Sequence, residues 1–123
     1  MNAADGPASI GSSRIAPLEE IVERDQVWYR MAAKWGVENP VPPWKSSLDG
    51  MCDALDRASC DENIPDFKQR RDEEDALSAT LYSNLPYPEN QLMSLAHSLV
   101  SRGVIDEAEL KQRLASIRAR LEA

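Results

Sequence analysis

Apolar side chains recur along this chain at intervals of three and four and nowhere alternate convincingly, which predicts helices joined by proline-bearing turns. From Pro17 onward, Leu18, Ile21, Val22, Trp28, Met31, Ala32 and Trp35 follow this spacing, and Gly36 supplies a stop. Together they predict one amphipathic helix over residues 17–36. The next stretch, VENPVPPW, carries Pro40, Pro42 and Pro43 and can neither continue a helix nor pair in a central strand. Residues 37–45 are therefore expected to form an extended arm that sets Trp44 against a neighbouring surface, in this chain or in a partner. Leu48, Met51, Cys52 and Leu55 then share one face of a short helix, with Ser46 or Ser47 as its expected cap. Gly50 weakens that helix by about 1 kcal/mol relative to alanine.

After the polar break DEN, Pro65 and Asp66 open a helix bearing Phe67, Arg70, Arg71, Leu77 and Leu81. Its run KQRRDEED reads as a solvated face, with Glu73 beside Asp72 and Glu74 counted among ordinary surface carboxylates. The turn SNLPYP interrupts the pattern, because each proline biases its predecessor away from helical angles. Leu92, Leu95, Ala96, Leu99 and Val100 mark the next helix, which ends at Gly103. Asp106 caps the last one, with Glu109 three residues on. There, Leu110, Leu114, Ile117 and Leu121 form a narrow seam flanked by Lys111, Arg113, Arg118 and Arg120, packing either within the chain or on a partner. The predicted architecture is all-α: a small, open helical domain of four to five helices over residues 17–123, with a Pro-rich arm and a disordered tail over 1–16. Trp28, Trp35 and Trp44, together with the seam, are candidates for a partner interface.

Composition narrows the function classes. The 123 residues suffice for one domain, and no apolar run approaches the length of a membrane span. With no secretory signal at the start either, the expectation is a soluble, cytoplasmic protein. Lysine and arginine number 14 against 21 acidic residues, a net charge of −7, which argues against nucleic acid as a partner. Cys52 and Cys60 are too few and too far apart for a zinc cluster or a disulfide scaffold, so two reduced, buried thiols are expected. The single histidine, His97, lies in an apolar helical pattern and reads as a satisfied, partly buried imidazole. Glycine-rich phosphate loops, nucleophile elbows and HExxH are missing, and the chain alone looks catalytically incompetent.

One run does carry a signature. Between Arg70 and Leu121 come an Arg-Arg pair, Tyr82, a Pro86-Tyr87 pair whose tyrosine lies five residues later, an apolar helix closing on Leu99-Val100-Ser101-Arg102-Gly103, and a helix opening on Glu109-Leu110. At this spacing the run resembles the helical N-terminal half of nitrile hydratase beta subunits and, more closely, the short beta subunit of thiocyanate hydrolase. In that family a separate alpha subunit binds cobalt(III) or iron(III) in a Cys-x-x-Cys-Ser-Cys claw with two oxidised cysteines, and beta-subunit arginines hydrogen-bond the cysteine oxygens. The claw motif is missing here, so the resemblance implies the non-metal partner.

Counting fifteen residues back from Pro86 reaches Arg71, which the resemblance makes the arginine donor, with Arg70 as the fallback and Lys68 behind it. A planar guanidinium suits the role because it donates to two oxygens at once and stays charged when desolvated. Tyr87 falls where the family places a pocket tyrosine, whereas Pro88 and Gln91 depart from its Tyr-Tyr-x-x-Trp pattern. Because the sequence stops at Ala123, the family's β-barrel is expected on another polypeptide.

The reading is a helical subunit that binds no metal or cofactor itself. It completes the active site of a cobalt-bearing alpha subunit, with a separate small β-barrel subunit, for hydration of a small-molecule nitrile. A thiocyanate hydrolase subunit, an activator that delivers metal, and a generic helical interaction module remain open beside it.

Overall fold

The computed structural model describes residues 13–58 and 63–122, and every regular element among them is helical. The helices are α1 (Ala16–Arg24), α2 (Trp28–Lys34), α3 (Lys45–Arg57), α4 (Phe67–Ala79), α5 (Glu89–Ser101) and α6 (Glu107–Leu121). The domain is all-α. Cys60 and most of the expected tail lie outside the described residues. Its described end is held: Arg14 Nε donates to the Leu81 carbonyl at 2.7 Å, and Ile15 packs against the core.

The helix expected over 17–36 is two helices. Asp25 adopts a left-handed φ of 52° and ends α1, and α2 begins three residues later. The cause is burial. In an unbroken helix Val27 would point about 140° away from Val22, but the break turns it inward, to 2 % exposure. The exposed start of α2 is then satisfied from a distance, because the Glu89 carboxylate accepts the Trp28 backbone N–H at 2.6 Å. Gly36, at φ 70°, closes α2 as the sequence suggested.

The proline arm delivers Trp44 as expected, and that ring packs against a cluster of Leu48, Leu55, Leu95 and Leu99. Neither Ser46 nor Ser47 caps α3: the helix already starts at Lys45, and Trp44 occupies the cap position without a side-chain bond. Two other helices carry side-chain caps, Asp106 as the sequence suggests and Asp66, which the sequence marks only as a helix start. Asp66 and Gln69 bond reciprocally at the start of α4, and Asp106 accepts the Glu109 N–H at 2.9 Å. Leu81 lies in the turn after α4, which stops at Ala79.

Helix α5 is the spine. Met93, Ser94, Leu95, His97, Ser98 and Leu99 are all buried, covering most of its circumference, as fits a central helix. One flank meets a cluster of Leu18, Val22, Leu77, Tyr82 and Met93, and the other meets the Trp44 cluster. Each fully buried leucine contributes about 1.5–3 kcal/mol. Small side chains ease the approach of α4, where Ser78 Oγ and Ser94 Oγ are 3.3 Å apart. No helix of the described residues is long and apolar enough to cross a membrane.

Two polar groups are more deeply buried than the sequence suggests. Glu73, expected on a solvated face, is 4 % exposed and forms a forked ion pair with Arg102, which follows α5. His97 is fully buried, and its Nδ1 shares a 2.8 Å hydrogen bond with the Tyr82 hydroxyl, the two rings meeting edge to face.

Burial pushes the Tyr82 phenol up from its ordinary 10 to about 12, with the Arg14 guanidinium pulling the other way. Because the folded state holds this proton more tightly than the unfolded chain, the associated stability is complete below pH 10 and is lost as pH rises through about 12. Denaturant midpoints should therefore fall across that window, and fall less in Tyr82→Phe, whose side chain cannot ionise. Equal slopes for the two proteins would refute the assignment.

Candidate functional site

The outer face of α4 carries Phe67, Arg70, Arg71, Glu74 and Asp75, whose spacings of three, four, seven and eight from Phe67 place them side by side. Tyr87, from the turn, and Gln91, from the first turns of α5, stand opposite. Together these seven residues line an open cleft of about 310 Å³. The three residues singled out in the sequence for chemistry, Arg70, Arg71 and Tyr87, thus share one site, although sixteen positions separate Arg71 from Tyr87.

The two arginines differ in their commitments. Arg70 is 9 % exposed, is ion-paired with Asp56 at the end of α3, and has its guanidinium 5.5 Å from the centroid of the Phe67 ring. Its Nε is buried with no hydrogen-bond partner among the described residues. Arg71 is exposed and forms no ion pair among the described residues, so its fork remains available to an outside acceptor. Lys68, the more distant alternative, is tied to Asp72 at 2.8 Å on the solvent side.

Tyr87 is 67 % exposed, and the Lys45 ammonium, which also pairs with Asp49, lies 5.5 Å from its ring centroid. That ammonium is held above the usual lysine range, chiefly by its bond to Asp49. Burial raises the Glu74 carboxyl and neighbouring Asp75 raises it further, while Arg71, Arg70 and Lys45 oppose the shift. Gln91 Nε2 is 4.0 Å from Cys52 Sγ, and Gln91 Oε1 is buried without a hydrogen-bond partner among the described residues. Burial also pushes the Cys52 thiol up, keeping it protonated and a poor nucleophile.

The cleft offers guanidinium and amide donors to an oxygen-rich group, with an aromatic ring at the rim. Among the described residues no three His, Cys, Asp or Glu side chains are grouped so as to hold a metal ion. Glu74 was not recognised as a cleft residue from sequence, whereas Gln91 stood there only as a departure from the family's pattern at the pocket wall. The helical spacing from Phe67 could have found Glu74, whereas Lys45 reaches the rim from another helix and had no local signal.

The remaining candidates fall elsewhere. Trp44 is packed inward, and Trp28 is half-buried with its indole N–H donating to the Asn39 carbonyl at 2.8 Å. Trp35 is 70 % exposed under the Lys34 ammonium. The three tryptophans therefore do not offer equivalent exposed surfaces. Of the seam, Leu110 packs against the first core cluster, whereas Ile117 and Leu121 remain exposed. No family model, curated protein or solved structure matches the chain.

Proposed function

We propose that this chain is the small helical subunit of a heteromeric nitrile hydratase, an enzyme that adds water to a nitrile to give an amide. The observation that carries the reading is the meeting of Arg71 and Tyr87 in one cleft, with Arg71 forming no ion pair among the described residues. Arg71 is then the donor to the oxidised cysteines of the metal-bearing alpha subunit, and Tyr87 lines the nitrile pocket at the rim. Arg70, fixed by Asp56 and Phe67, holds the base of the cleft and adds positive potential beneath Arg71.

The metal, cobalt(III) in preference to iron(III), belongs to the alpha subunit and supplies Lewis acidity there. This chain's contribution is orientation. A guanidinium that donates to cysteine oxygens fixes and polarises the ligand set, and losses of this kind cost about 10- to 100-fold in activity or metal affinity. A separate small β-barrel subunit completes the proposed assembly. The proposed substrate class is a nucleoside nitrile of the toyocamycin type.

The test is co-purification of the chain from its own host, followed by native mass spectrometry with elemental analysis. A stoichiometric complex with a cobalt-bearing subunit and a small barrel subunit is the expected result. In that complex Arg71→Ala should lower nitrile turnover about 10- to 100-fold while assembly persists. Arg71→Lys should not restore it, since an ammonium cannot reproduce the planar fork. Unchanged turnover and metal content in Arg71→Ala would remove the role assigned here. Hydrolysis of thiocyanate without hydration of any nitrile would move the chain to the sister enzyme.

A further inference from the structure

Helix α6 has no buried residue along its fifteen positions. Its apolar side chains Leu110, Leu114, Ile117 and Leu121 are spaced four, three and four apart, as in the seam of a coiled coil. Part of this seam is already seated. Leu110 touches the core, and Leu114 lines a groove of about 200 Å³ whose other wall includes Pro17 and Ile21 of α1. The outer half, Ile117 at 45 % and Leu121 at 75 % exposure, is left uncovered by the described residues.

The charges beside the seam say what would cover it. In the register that puts the four apolar residues at the core, the flanking positions are 111, 113, 118 and 120, and all four are cationic. This is a local reversal in a chain of net charge −7. Arg118 is met by Glu20 at 3.1 Å and Arg113 by Glu109 at 3.2 Å, whereas Lys111 and Arg120 form no ion pair among the described residues.

A second copy of α6 would set cation against cation in either direction of pairing, which disfavours self-association. An anionic membrane is the poorer match. The stripe is narrow and carries no aromatic residue to seat at the headgroup level.

We propose that α6, with the edge of α1, receives an amphipathic helix of another protein that presents leucine or isoleucine along its seam and glutamate or aspartate at the flanking positions. This surface is independent of the cleft on α4.

The experiment uses the full chain and two labelled peptides of several heptads, both with leucine at the seam, one with glutamate and the other with lysine at the flanks, followed by fluorescence anisotropy. The acidic peptide should bind at least about tenfold more tightly than the basic one, with an advantage that shrinks as salt is added. Ile117→Asp with Leu121→Asp should abolish binding while circular dichroism stays unchanged, since both side chains are exposed. Lys111→Glu with Arg120→Glu should reduce or reverse the preference between peptides. Equal binding of both peptides, or of neither, overturns the proposal. So does a sedimentation equilibrium dimer lost in the Ile117→Asp and Leu121→Asp chain, or recovery on phosphatidylglycerol vesicles without binding of the acidic peptide.

Discussion

Replacing Glu73 with alanine is expected to destabilise the fold by about 3 kcal/mol, the lower end of the cost of stranding one partner of a buried ion pair. The carboxylate is 5 % exposed while Arg102 keeps 22 % of its side chain in water, so the guanidinium left behind can partly rehydrate. Against a total of about 5–15 kcal/mol for a domain of this kind, such a loss is a large fraction. Glu73→Gln should cost less, because an amide oxygen still accepts from the guanidinium. A double replacement by Leu at 73 and Met at 102 should recover much of the loss, since packed apolar side chains carry no desolvation penalty. Urea unfolding of the three variants provides the check. If Glu73→Ala and Glu73→Gln unfold with the wild-type midpoint, the pair is not the internal tie described here.

Tyr82→Ala should be at least as damaging, costing about 3–5 kcal/mol, because a fully buried ring is removed from the cluster that joins α1, α4 and α5. Two contributions can be separated. Tyr82→Phe keeps the ring and loses only the hydroxyl, for about 1–3 kcal/mol, since His97 Nδ1 then faces a hydrocarbon edge instead of its 2.8 Å partner. The difference between the two variants measures the packing of the ring. A loss in Tyr82→Phe as large as in Tyr82→Ala would mean that the hydrogen bond, not the volume, dominates at this position.

Periodicity in the sequence carries the all-helical class, the stops at Gly36 and Gly103, and the proline arm that ends at Trp44, but not that Trp44, an interface candidate there, packs inward. These depend on local spacing, turn chemistry and the stiffness of the proline arm. What stayed hidden depends on distance along the chain. The break at Asp25 follows from the need to bury Val27 and from a cap contributed by Glu89, sixty-one residues away, which no local window contains. Glu73 looked like its acidic neighbours because its partner, Arg102, lies beyond the next helix. At the cleft, the motif pointed to Arg70, Arg71 and Tyr87, but not to the division of labour between the arginines. That division is set by Asp56 on α3. Lys45, which flanks the tyrosine, is likewise invisible without the fold.

The short helix α2 brings a final consequence. Seven residues are too few to persist as a helix in water, and Ala32 is the one buried side chain within it. Its order is lent by Val27 and by the Glu89 carboxylate at its first N–H. If that link loosens, α2 can unwind by itself while the contacts of α4 and α5 persist, placing Trp28 to Trp35 in a separate, shallower cooperative unit than the spine.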